Sequence, residues 1–407
     1  MSAPIPSLHT VEDALRRITE TFAAELANPG ITTPPWQPSE WRLARAVAAM
    51  HGVSPLLAGV LRWQKAPEDW TGFIADQKAH TAARVNRMRD LLSRLDAELR
   101  KEGIALVALK GAALHPLGLY TSDERPMSDI DVLARAQDVE RTALLLGRLG
   151  FQRTMVTARH LVFEPQERHT PAELGEHRAN DIKIELHERI SEALPVDPVD
   201  ITDLVFPRDP HAGINGYSSI AALMTHLLLH TAGAMTGRGV RLLHLNDISL
   251  VAARMSASDW TEVLERPGAQ RPTWWAFPPL QLTTRYFSCI PQRALDNAER
   301  GCPRRLASAY KSRTLSDVSY TYPWIDAFPG MEWARSPGTK LRYALHKIRP
   351  DPEQLAIRAA LLRSEPRHAQ SEWARLSQFR RILRWLTSSP ERVETLAAVR
   401  AAFEQSR

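Results

Sequence analysis

The sequence predicts an α+β protein: a small mixed β-sheet flanked by helices, followed by a mainly helical C-terminal region. Three observations carry this. Apolar residues recur at helical spacing through the first hundred positions. Short apolar or alternating runs then cluster between 104 and 190, as strands do. From 218 onward helical periodicity returns. A chain of 407 residues, 44% hydrophobic and 24% charged, is long enough for two or three domains and a sizeable core.

Thr10 with Asp13 reads as the capped start of a first helix. Val11, Leu15, Ile18, Phe22 and Leu26 form its apolar stripe, and Pro29-Gly30 stops it. A second helix opens at Ser39 and carries Trp41, Leu43 and Val47. A third covers about 68–101, with Phe73, Ile74, Val85, Met88, Leu91, Leu92 and Leu95 on one side, and Gly103 ends it. The continuous apolar run 104–109 reads as a buried strand, and 111–119 as a short helix. A second strand is expected at 130–133, then an amphipathic helix over 139–149 closed by Gly150. Candidate strands at 151–156 and 160–163 precede a polar loop, 165–180. Over 181–187 Ile182, Ile184 and Leu186 alternate with Asp181, Lys183, Glu185 and His187, the signature of a half-buried strand. Helices are expected at 220–232, at 242–255 and after 270. Pro-containing segments at 323–337 and 350–352 read as loops. The run Trp274-Trp275-Ala276-Phe277 reads as helix packing, and the other tryptophans as core. This divides the chain into an N-terminal helical region (1–103), an α/β core (104–215), a helical domain (216–300) and a basic, mainly helical region (301–407).

Composition excludes several classes. No apolar run approaches the ~18 residues of a membrane span. The opening residues lack a basic cluster followed by an apolar stretch, so no secretory signal is expected. Cys289 and Cys302 are too few for a disulfide framework or a thiolate zinc site, which fits a reducing cytoplasm. The net charge of +6 is unevenly spread: residues 301–407 hold 19 Lys+Arg against 10 Asp+Glu, so the remainder is slightly acidic. An Arg-rich region gripping an anionic partner is one reading, and solvated helix faces are the other.

The chemistry concentrates in Ser128-Asp129-Ile130-Asp131-Val132-Leu133. Aspartates at i and i+2 on a strand project from one face. Carboxylates that close repel, so they need protons or a cation, and Mg²⁺ takes such oxygens together with substrate phosphates. Glu185 lies on the polar side of a later strand; if that strand neighbours the first, a third carboxylate joins the pair. Its alternative role is an exposed position paired with Lys183 or His187. Lys110-Gly111 joins a strand to a helix, where a cation, a glycine and a helix start can hold phosphate. Arg125 is placed either to reach a phosphate or to brace the acidic loop. His226 and His230, at i and i+4 on a helix, have zinc-like spacing within a helix that reads as packed. Asn246-Asp247 reads as contacting nucleotide or as satisfying groups between helices.

The segments Ala108-Leu-Lys-Gly-Ala112, Arg125-Pro-Met-Ser-Asp-Ile-Asp-Val-Leu133, Gly150-Phe151 and Ile184-Glu-Leu-His187 resemble the uncharacterised nucleotidyltransferase family of the DNA polymerase beta superfamily. His51-Gly-Val-Ser-Pro-Leu-Leu57 and Leu242-Leu-His-Leu-Asn-Asp-Ile-Ser-Leu-Val251 extend the resemblance over roughly 40–260. It implies a nucleotidyltransferase core, with Asp129, Asp131 and Glu185 as catalytic ligands of Mg²⁺ or Mn²⁺. It also places Lys110-Gly111 at the phosphates of a nucleotide donor, and Arg125 is assigned there too. The wider superfamily usually has Gly-Ser where this chain has Lys110-Gly111 followed by Ala112, so no hydroxyl stands ready for a triphosphate. That departure leaves open whether an NTP donates a nucleoside monophosphate or a nucleotide sugar donates its sugar or sugar phosphate. A peptide or small molecule is favoured over nucleic acid as the acceptor, with no membrane partner. The competing class is a non-catalytic nucleic-acid or protein binding module built on the Arg-rich region.

Overall fold

In the computed structural model, which describes residues 5–157, 159–167, 169, 174–265, 273–350, 355 and 372–404, the first helix starts earlier than Thr10. Ser7 lies in extended backbone and its hydroxyl accepts the Thr10 amide, so α1 spans Leu8–Ala27 and Ser7 is the cap. Helix α2, Pro38–Met50, opens with proline in its first turn, and Glu40 accepts the Gln37 amide at 2.9 Å. A further helix, α3 (Ser54–Val60), was not expected: at 7 residues it is too short to show a period. Helix α4, Glu68–Glu102, ends at Gly103, which adopts a left-handed φ of 65°.

Six strands form one mixed sheet. They are β1 (Ala105–Ala108), β2 (Asp129–Ala134), β3 (Phe151–Val156), β4 (His160–Pro165), β5 (Lys183–His187) and β8 (Gly213–Asn215). Their order is β3-β4-β5-β2-β1-β8, with β2–β5 and β1–β8 parallel and the rest antiparallel. Strands β6 (Ser191–Ala193) and β7 (Pro198–Asp200) pair separately. These two and β8 were not expected, since three residues carry no readable alternation. Strand β5 starts at Lys183 rather than 181 because Asp181 is drawn aside: its carboxylate takes the His169 amide and its carbonyl takes Arg84. Between and after the strands lie α5 (Lys110–Leu114), α6 (Val139–Arg148), α7 (Thr202–Val205), α8 (Ile220–Thr236) and α9 (Leu242–Ala252).

The sheet separates two apolar clusters. Ile130, Val132, Ile184, Leu186 and Phe163 pack with Met88, Leu95 and Leu99 of α4. The larger cluster gathers α1, α2, α8 and α9 with Trp274, Trp275 and Phe277. It also takes in Leu306, Tyr310, Trp333, Val399 and Phe403, so the basic C-terminal region is built into the core rather than appended to it. Trp333 lies on a 3-10 turn, Met331–Trp333, inside the segment expected as loop. The loop expected at 350–352 lies outside the described residues after 350, as do parts of the polar loop 165–180 and of the C-terminal region. Among the described residues no single helix is long and apolar enough to cross a membrane. The pair α2 and α3, apolar enough together, meets at 110°. Cys289 and Cys302 are both free thiols.

Candidate active site

Period-2 alternation turns Ile130 and Val132 into the core and leaves Asp129 and Asp131 together on the opposite face of β2. Strand β5 lies parallel beside it, in a register that pairs Asp129 with Lys183, Asp131 with Glu185 and Leu133 with His187. The third carboxylate therefore stands next to Asp131, one strand spacing away. Lys183 is taken by Glu164 of β4 at 2.8 Å and so does not neutralise Glu185. Instead His187 Nε2 lies 3.6 Å from Glu185 Oε2 and 2.9 Å from Asp131 Oδ1. His160, cross-strand partner of His187, places Nε2 3.8 Å from the same glutamate oxygen.

Lys110 follows β1 by two residues and has a φ of 44°, a conformation that non-glycine residues hold only when their surroundings require it. Its amide donates to the Tyr217 hydroxyl at 3.2 Å, and that hydroxyl lies 2.7 Å from His226 Nδ1. The twist aims the ammonium back at the sheet, where Nζ donates to Asp131 Oδ1 at 2.9 Å. Helix α5 has only 5 residues and the Lys110 amide is occupied, so a phosphate here would meet the ammonium rather than a helix end. Gly111 is required for a reason different from the expected one. A Cβ there would stand 2.7 Å from Met127 Sδ and closer still to Arg125 Nη1, so the protein itself fills that approach.

Arg125 braces. Its Nε and Nη2 donate to the two oxygens of Asp247 at 2.9 and 2.7 Å, and the pair is buried. The Tyr120 hydroxyl donates to Asp247 at 2.7 Å and receives Asn246 Nδ2 at 2.8 Å. Asn246-Asp247 therefore ties α9 to the loop ahead of β2, and the remaining Arg125 nitrogen, Nη1, donates to the Pro126 carbonyl at 3.4 Å. His226 and His230 do not converge on a metal. His226 serves Tyr217, while His230 lies 3.8 Å from Glu192 and packs its ring on His244.

The electrostatics follow the burial of these charges. Burial, then the Asp131 and Glu185 charges, push the Asp129 carboxyl up to about 6. Burial also acts on Asp131, but Lys110 and His187 outweigh it and hold that carboxyl well below the usual range. For Glu185, burial and the Asp131 charge are outweighed only by the His187 hydrogen bond together with the His160 and Lys110 charges, and its proton affinity falls. Burial opposes the charged forms of Lys110 and His187, yet the carboxylates raise both, with Asp131 the leading one. Among the described residues, Asp131 Oδ2 and Asp129 Oδ1 take no hydrogen bond. Oxygen donors that repel one another and retain free lone pairs suit a hard divalent cation.

Asp129, Asp131, Glu185, Lys110, Gly111 and Arg125 all line one cleft of about 710 Å³, in the usual range for a small-molecule site. Its other walls come from residues that sequence reasoning missed. Arg241 lies over the Tyr320 ring at 5.2 Å and makes no ion pair among the described residues. Glu394 and Ala398 come from the C-terminal helix Val393–Glu404, which packs on α2. Neither contribution had a local signal, because both depend on which distant helices meet.

Carboxylates grouped on adjacent strands stand beside a lysine held at a strand–helix turn, in an α+β fold consistent with a nucleotidyltransferase domain. Comparison with protein families agrees: residues 37–285 match the profile described as "Uncharacterised nucleotidyltransferase", and the chain belongs to that family. The match runs from the start of α2 past α9, and residues beyond 285 lie outside it. No curated protein and no solved structure matched the chain.

Proposed function

We propose that the protein moves a nucleoside monophosphate from an NTP to a hydroxyl of a peptide or small molecule, using Mg²⁺ or Mn²⁺. The observation that carries this reading is the β2–β5 register, which stands Glu185 beside Asp131 while Lys110 binds the same aspartate. Asp129, Asp131 and Glu185 would hold the divalent ion, which when bound neutralises phosphate charge and acidifies a nearby hydroxyl. Lys110 offsets charge on the donor phosphates as the leaving diphosphate departs. Glu185 helps to draw the proton from the acceptor hydroxyl. Arg125, fixed by Asp247, is a positioning residue that keeps Gly111 and the loop to β2 in place. The same reading keeps the four-part division of the chain and a cytoplasmic setting.

Thermal shift with each NTP and each nucleotide sugar, with and without Mg²⁺, tests the donor. A ligand at 100 times its Kd stabilises by about 2.7 kcal/mol. Stabilisation by an NTP that needs Mg²⁺ and vanishes in the Asp129→Ala/Asp131→Ala variant is the expected result. Equal stabilisation of wild type and variant overturns the site. A response to nucleotide sugars alone replaces the donor, and mass spectrometry of the product then shows a hexose or hexose phosphate in place of a nucleotide. Nucleic-acid binding that falls steeply with salt and ignores Mg²⁺ and NTP replaces the enzyme by a binding module.

A further inference from the structure

We propose that a borderline transition-metal ion of the Zn²⁺ or Co²⁺ class binds between His160, Glu185 and His187, with Asp131 as a shared fourth donor. This position shares Asp131 and Glu185 with the oxygen-only one that Asp129 completes, and it goes beyond the proposed reaction, since it needs no nucleotide.

Three adjacent strands build it. The β4–β5 register sets His160 opposite His187. The strand period puts Glu185 on the same side as His187, and the β2–β5 register puts Asp131 opposite Glu185. One ligand atom from each of His160, Glu185 and His187 lies within 4.8 Å of the other two. Glu185 Oε2 is 3.6 Å from His187 Nε2 and 3.8 Å from His160 Nε2, and His187 Nε2 is 2.9 Å from Asp131 Oδ1. Metal–ligand bonds of about 2.0–2.1 Å in a tetrahedron put donors roughly 3.3 Å apart, so side-chain adjustments suffice to close the set.

The outer contacts supply a second observation. The oxygen of the Thr157 hydroxyl, which donates to the His160 carbonyl at 3.0 Å and accepts the Arg159 and His160 amides at 3.2 and 3.1 Å, fixes the turn beside the ring. His160 Nδ1 lies 3.4 Å from that oxygen. Held by that turn, the ring turns Nε2 toward Glu185 at 3.8 Å, where the neutral tautomer protonated on Nδ1 presents a lone pair to a metal. Two imidazoles with two carboxylates select a borderline ion over Mg²⁺, which prefers oxygen alone.

The test uses the full-length protein, stripped with a chelator and titrated with Co²⁺ in a large excess of Mg²⁺ that occupies the oxygen-only position. Equilibrium dialysis gives the stoichiometry, and the visible absorption of Co²⁺ reports its geometry. One equivalent with tetrahedral bands is expected. His160→Gln, at the rim of the cluster, should weaken it at least 100-fold, and Thr157→Val about 10–100-fold. Metal-free melting curves check that both variants fold. Asp129→Asn should keep the Co²⁺ equivalent while losing Mg²⁺-dependent nucleotide stabilisation, so the two readings fail separately. No bound equivalent under excess Mg²⁺, or undiminished binding by His160→Gln, overturns the proposal.

Discussion

Replacing Asp247 by alanine should destabilise the protein by about 3–5 kcal/mol, the cost of leaving one member of a buried ion pair unpaired. The magnitude follows from what Asp247 holds. Two Arg125 nitrogens at 2.9 and 2.7 Å and the Tyr120 hydroxyl at 2.7 Å all donate to it. Its removal strands a guanidinium whose side chain is 8% exposed, so water cannot take over the lost bonds. For 407 residues unfolding as one unit, an entropy of about 2.1 cal/mol/K per residue converts this to a Tm lower by roughly 4–6 °C. Differential scanning calorimetry and urea denaturation measure it directly. The double variant Arg125→Met/Asp247→Leu should recover much of the loss, because it removes both charges and fills the space with apolar atoms. An Asp247→Ala loss below about 1 kcal/mol, or a double variant no better than the single one, would refute the bracing role of Arg125.

Two further outcomes are expected. Gly111→Ala adds a methyl group 2.7 Å from Met127 Sδ, so overpacking should cost about 1–3 kcal/mol in a urea titration and weaken nucleotide stabilisation; unchanged stability would show that Arg125 and Met127 yield freely. Stability should also fall in mild acid through His51, which burial, aided by Arg241, holds down at about 3 and whose Nδ1 accepts the Leu242 amide at 2.9 Å. The unfolded imidazole takes up a proton below about pH 6.5 while the folded one stays neutral, so between pH 7.5 and 5.5 this group alone costs about 1.4 kcal/mol. Urea midpoints should show that slope, and it should shrink by that amount in His51→Asn.

The residues legible in the sequence are those whose geometry is local. Asp129 and Asp131 share a face because a strand has period 2, whatever surrounds it. Glu185 was readable as a candidate from the alternation of its own strand, but its partnership with Asp131 depends on a strand pairing that no local pattern encodes. His187 was visible only as one polar position in that alternation, and His160 only as the start of a candidate strand. What joins them is cross-strand register. Arg125 could be read two ways because a guanidinium suits a phosphate and a carboxylate equally; the choice lay in Asp247, 122 positions away. Gly111 was readable as a place where a phosphate could approach the backbone, whereas the atoms that crowd it belong to Met127 and Arg125, which sequence spacing could not place. The charge excess of 301–407 pointed to an anionic partner or to solvated helix faces, while Trp333 and Phe403 within it are fully or almost fully buried, so composition concealed a structural role.

The placement of the Val393–Glu404 helix against α2 also sets an order of assembly during synthesis. The three carboxylates are complete once Glu185 is made, whereas Glu394 and Ala398, which wall the same cleft, follow about two hundred residues later. At about 5–20 residues per second the ribosome takes some 10–40 seconds to cover that distance. Throughout that interval every proposed metal ligand has been synthesised while Glu394 and Ala398 have not. In order of synthesis, the proposed ion ligands thus come before the helix that walls one side of the cleft.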